Sequence, residues 1–79
     1  MTFPLPPAVH PKARAWLQRS SNHLAKLKPP QQLAWLREWI PAARRFPIND
    51  GLTAMDLSIV LDTLINWQAD VMAAQRRAA

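Results

Sequence analysis

Proline decides where this chain can be helical. Pro4, Pro6 and Pro7 bar a helix from the first nine residues, Pro29-Pro30 end any helix that reaches them, and Pro41 interrupts the apolar pattern that follows them. The same residue type also opens helices, because its fixed φ suits the first helical position, where no backbone donor is needed. The prolines therefore divide the chain into an extended arm over residues 1–9 and a single helical domain over residues 10–79. The arm follows a polyproline-like path and reads as a partly ordered terminus whose Phe3, Leu5 and Val9 could dock on a core or a partner.

Three helices fit the remaining pattern. The first runs from near Pro11 to Lys28, with Ala13, Trp16, Leu17, Ser20, Leu24 and Leu27 at steps of three and four on one face. The second starts near Pro30 and carries Leu33, Leu36, Trp39, Ile40 and Ala43. Pro41 predicts a kink there, or a stop followed by a short turn over 41–45. The third is the clearest. Thr53 and Asp56 have the spacing of a capping box, with Asp in place of Glu or Gln. Leu57, Val60, Leu64, Trp67, Val71 and Ala74 then follow alternating steps of three and four to about Arg76, and Leu61, Ile65 and Met72 widen that stripe. Between the second and third helices, Asn49-Asp50-Gly51 contains the chain's single glycine and has strong turn chemistry. It lacks the spaced oxygen ligands and terminal Glu of a calcium loop. No segment reads as a strand, so the fold class is all-α, a small three-helix domain.

With 79 residues and no cysteine, the chain has room for one modest core and no covalent staple. Apolar residues make up 49% of it and four are Trp, which is rich for that size. Chains of this length often complete their cores by association. The stripe on the third helix accordingly predicts a symmetric homodimer whose seam is Leu57, Val60, Leu64, Trp67 and Val71. Trp35, at the edge of the broad apolar arc of the second helix, is the first candidate for contact with a protein partner. No apolar run is long enough to span a bilayer, and the N-terminus lacks the basic n-region of a secretory signal, which makes the cytoplasm the expected location.

Charge is unevenly distributed. Residues 1–45 hold eight Lys/Arg against Glu38 alone, a net +7, while residues 46–79 set Arg76 and Arg77 against four Asp, a net −2; the whole chain carries +5. Lys12, Arg19 and Lys26 recur every seven residues and form one stripe on the first helix, with His23 on the stripe and Trp16 beside it. Arg37 and Arg44 are likewise seven apart on the second helix. Were the two stripes on a common side, they would make a continuous positive face able to neutralise phosphates, with an indole available for base stacking. As a helix-turn-helix reader the chain is poorly equipped, since the second helix exposes little besides Gln31, Gln32, Arg37 and Glu38. The basic first helix also suits a membrane surface, but its apolar face is needed to cover the third helix.

Catalytic chemistry finds no constellation. Ser20 and His23 lie three apart on one helix with no acid placed to orient the imidazole, and the Asp residues of the third helix are spaced by six and eight. A phosphate loop needs more glycine than the chain has, and two separated histidines without cysteine make a poor metal site. No cofactor is expected. The sequence therefore predicts a small non-enzymatic regulator or adaptor that binds another protein, with a nucleic-acid-binding accessory protein as the alternative, contacting phosphates through Lys12, Arg19, Lys26, Arg37 and Arg44.

Overall fold

The computed structural model describes residues 3–46 and 52–78. It contains three helices, α1 (Pro11–Ala25), α2 (Pro29–Ala43) and α3 (Ala54–Ala78), and the described residues include no strand. The turn expected at Asn49-Asp50-Gly51 lies outside the described residues. The 25-residue α3 is about 38 Å long at 1.5 Å per residue and sets the long axis of a body measuring 43 × 21 × 17 Å.

Each helix begins as local chemistry requires. At α1, Pro11 occupies the first position and the His10 Nδ1 accepts from the Lys12 N–H at 3.1 Å. At α2, Pro29 and Pro30 take the first two positions, and the Gln31 side chain reaches back to accept from the Lys28 N–H at 3.1 Å. At α3 the expected capping box is present. The Thr53 Oγ1 accepts from the Asp56 N–H at 3.2 Å, and the Asp56 Oδ2 accepts from the Thr53 N–H at 2.9 Å.

The ends differ from the sequence reading. The α1 helix stops at Ala25 rather than Lys28, because the residue before a proline is driven to extended geometry. Lys28 sits at φ −78°, ψ 157°, so the chain must leave the helix over Lys26 and Leu27. In α2 the helix runs through Pro41 to Ala43 and closes in a turn at Arg44-Arg45, so the stop at Pro41, the alternative to the kink expected there, does not occur. Pro41 is exposed and lacks the N–H that would bond the carbonyl of Arg37, which is itself exposed to water.

The core is built on α3. Val60, Leu64, Trp67 and Val71 are buried against Ala13, Leu17 and Leu24 of α1 and Leu33, Leu36, Ile40 and Ala43 of α2. Two buried hydroxyls are satisfied within their own helices, Ser20 donating to the Trp16 carbonyl at 2.9 Å and Thr63 to the Ile59 carbonyl at 2.7 Å. Gln32 is also buried. Its Nε2 donates to the Leu24 and Leu27 carbonyls at 2.8 and 3.1 Å, closing the C-terminal end of α1.

The segment before α1 completes this core. Phe3 is buried and meets Trp67 edge to face, with ring centroids 5.4 Å apart. The Trp67 Nε1 donates to the Pro4 carbonyl at 2.9 Å, the Ser21 hydroxyl donates to the Phe3 carbonyl at 3.2 Å, and the Arg14 guanidinium donates to the Pro6 carbonyl at 2.9 Å. The His10 N–H donates to the Asp56 Oδ1 at 3.2 Å and so ties the start of α1 to the start of α3.

Asp56 is the meeting point of these polar contacts. The Thr53 backbone N–H, the Thr53 hydroxyl and the His10 N–H together hold its carboxyl below the ordinary carboxylate value. A pKa depressed in the folded state contributes stability above the unfolded value, and that contribution is lost as pH falls through the folded value. We expect Asp56→Ala to lower Tm at neutral pH, with the gap to wild type closing as the solution is acidified through the carboxylate range. A gap that stayed constant in thermal melts across that range would show that the charge of Asp56 is not what the contacts stabilise.

Candidate nucleic-acid or protein interface

The most distinctive surface lies between α1 and α2. Trp16 of α1 stacks on Trp35 of α2 with centroids 6.2 Å apart and planes 29° apart, and Trp35 stacks on Trp39 at 5.7 Å and 28°. Trp16 also meets Trp39 at 5.8 Å, Phe46 packs edge-on against Trp16 at 5.3 Å, and the His23 ring lies 6.1 Å from Trp35. All four large rings are half-buried, so the cluster caps the core on one side and meets solvent on the other. Its bulk holds two helices apart, since interaxial distance follows the size of the side chains at the contact.

Trp16 also forms a wall of a cavity of about 220 Å³ on the α3 side of α1. Ala13, Phe46, Leu52, Leu57 and Val60 complete its apolar lining, and Lys12 and Arg19 stand at its rim. The cavity and the ring cluster thus share Trp16 and Phe46 and form one continuous apolar surface. Lys12 and Arg19 of α1 stand at its border and are exposed, and Lys26, also exposed, follows the last residue of α1.

The structure distributes the predicted site residues unevenly. Trp35 lies in the ring cluster and Leu57 lines the cavity, both half-buried. Val60, Leu64, Trp67 and Val71, read as a dimer seam, are at most 2% exposed and are covered by the chain's own α1, α2 and N-terminal segment. The seam is therefore not a surface that the folded chain offers to a second copy. The large apolar side chains that α3 leaves exposed are Met55, Ile65 and Met72.

The two basic stripes do not merge into one face. Arg37 lines a groove with Leu33, Met72, Gln75 and Arg76 on the α3 flank of α2. It follows Trp35 by two residues, close to half a helical turn, which puts it across the helix from the ring cluster. Arg44 is exposed in the turn that follows α2. Lys12 and Arg19 share the cavity lining with Trp16 and Phe46.

Phe46 escaped the sequence reading because it follows α2 and belongs to no periodic pattern. Phe3, one of three arm residues expected to dock on a core or a partner, is buried in the core. Among the described residues there is no group of three His, Cys, Asp or Glu side chains suited to a metal ion, and no helix is long and apolar enough to cross a membrane. No protein-family model, curated protein or solved structure matches the chain, so its reading rests on these side chains.

Proposed function

We propose that this chain is a small non-enzymatic adaptor that works by binding another protein, through the face formed by Trp16, Trp35, Trp39 and Phe46. The observation that supports it is the half-exposed ring cluster itself. Rings at this density, anchored from below by the core and bordered by cations, have the character of an interface centre, where Trp and Arg are enriched and where a rigid apolar patch loses little entropy on docking.

Two features favour a protein over a nucleic acid. Base stacking needs an open ring face, and here each indole already has a face against a neighbouring indole. Phosphates along a nucleic acid are also several times denser than one cation per roughly 10.5 Å of helix, the spacing of Lys12, Arg19 and Lys26. With Arg37 on the other flank of α2, the charge needed to follow a phosphate backbone is split.

The test is site-specific photocrosslinking in the cell that makes the protein. Trp35 is replaced by a photoreactive benzoylphenylalanine, and Ala25, exposed on the opposite side of α1, receives the same group as control. A discrete protein adduct from position 35 that is missing from position 25 is the expected result. A nuclease-sensitive adduct would transfer the function to nucleic acid, and no adduct at position 35 would remove the face from consideration.

A further inference from the structure

Resting on that reading, we infer that the partner element is a proline-rich segment in the polyproline II conformation. Its pyrrolidine rings pack against Trp16, Trp35, Trp39 and Phe46, and its backbone carbonyls accept from the indole N–H groups of that face.

Hydrogen-bond accounting selects this partner. The four rings carry three donors, the Nε1 groups of Trp16, Trp35 and Trp39, and no acceptor. The chain leaves all three donors unused. Among the described residues, the one indole that donates to a protein acceptor is Trp67. Nor are the three donors buried, since the buried side-chain polar atom that lacks a partner among the described residues is the Gln32 Oε1. They are open to water, and a partner that covers them must supply acceptors, because a donor buried without one costs more than a made hydrogen bond returns.

The three backbone conformations differ in what they supply. A helix spends its carbonyls on its own N–H groups and offers none to the indoles. An extended strand offers carbonyls but brings an N–H with each, and these rings have nothing to accept it. A polyproline II segment makes no internal hydrogen bonds, and each proline in it has a carbonyl but no N–H. Its backbone is the acceptor-only complement of a donor-only face.

The chain already makes this contact once within itself. The Trp67 Nε1 donates to the Pro4 carbonyl at 2.9 Å, and Pro4, Pro6 and Pro7 line one groove together with Trp67. The rings between α1 and α2 repeat the chemistry with no proline opposite them. Their arrangement also suits pyrrolidine rings. Trp16 and Trp39 are inclined at 57°, and Phe46 stands at 81° to Trp16 and 62° to Trp39. Inclined aromatic rings of this kind line the grooves in which proline-rich segments dock, where no fully open stacking face is required. Neighbouring centroids are 5.3–6.4 Å apart, so the patch is commensurate with one polyproline II turn, three residues in about 9.3 Å.

The test titrates isotope-labelled protein with decaproline and follows the four indole N–H resonances by two-dimensional NMR, with single Trp→Phe variants assigning them. The expected result is saturable movement of resonances from Trp16, Trp35 and Trp39 with a Kd below about 1 mM, while the Trp67 resonance stays in place. A ten-residue peptide of alternating Pro and Ala, which restores half of the N–H groups, should bind several-fold more weakly. Trp35→Phe or Trp39→Phe, each of which keeps a ring and removes a donor, should weaken decaproline binding about fivefold. Circular dichroism of both variants establishes that they remain folded. No saturable movement by about 1 mM, equal affinity for the alternating peptide, or unchanged affinity in both Phe variants would each overturn the inference. Movement confined to Trp67 would also overturn it, because decaproline would then only have displaced the chain's own Pro4 segment. A protein adduct at position 35 without a response to decaproline would uphold the adaptor reading and remove the proline-rich partner, so the two failures are distinguishable. Movement of the same three resonances by oligothymidylate at physiological salt, with none by decaproline, would overturn both.

Discussion

Trp67→Ala removes a large share of the stability that keeps the chain folded. Trp67 is fully buried at the middle of α3, and its ring touches the N-terminal segment as well as the helical core. Truncating a buried Trp to Ala costs about 3–5 kcal/mol, from lost transfer energy and the cavity left behind. The substitution also removes the Nε1 donor that holds the Pro4 carbonyl and the ring that Phe3 packs on. A domain of this length has about 4–12 kcal/mol in total at 0.05–0.15 kcal/mol per residue. Each kcal/mol is worth about 4–8 °C of Tm at this size, so the expected fall is about 12–40 °C. Thermal and urea melts followed by circular dichroism check it. Trp35→Ala is the matching control, because Trp35 is half-buried and its removal mainly opens the ring cluster to water. If the two variants melted together, the core would not be centred on α3.

The contrast between these two tryptophans marks what the sequence could disclose. Helix starts were legible because each depends on a few adjacent residues: Pro11, Pro29-Pro30, and the reciprocal pair Thr53 and Asp56. Helix ends were less so. The stop at Ala25 follows from the extended geometry that Pro29 imposes on Lys28, a constraint that reaches back three residues. Periodicity identified the buried face of α3 and all four of its central side chains, but periodicity reports that a face is covered and not what covers it. The two 15-residue helices and the segment from Phe3 to His10 provide the cover. The basic stripes show the same limit. A seven-residue spacing places cations on one side of a helix, and only the packing of that helix decides which neighbour the side faces. Lys12 and Arg19 came to border Trp16, whereas Arg37 came to border Met72 and Arg76. Phe46 joins the rings through the turn after α2, a placement that depends on tertiary structure alone.

Leu64→Lys separates the two accounts of the α3 stripe. If Leu64 lay in a seam between two copies, Lys would dissociate the pair and leave folded monomers, and the Tm of the wild type would rise with protein concentration. In the structure Leu64 has no exposed surface and sits within the cluster that includes Leu17, Leu24, Leu36 and Trp67. An ammonium there must be desolvated, displaced toward water through packed side chains, or neutralised, and each course costs several kcal/mol. Core changes of this type fall in the exceptional class above about 4 kcal/mol, comparable to the whole stability of a domain of this size. The expected variant is unfolded at room temperature by circular dichroism, and the wild type has a Tm independent of concentration. Ile65→Lys, one residue away but 42% exposed, should fold and melt within a few degrees of wild type, because a lysine there keeps its ammonium in water. A folded, monomeric Leu64→Lys would return the stripe to the role of an interface between copies. An unfolded one beside a folded Ile65→Lys would establish α3 as the core element of a single chain.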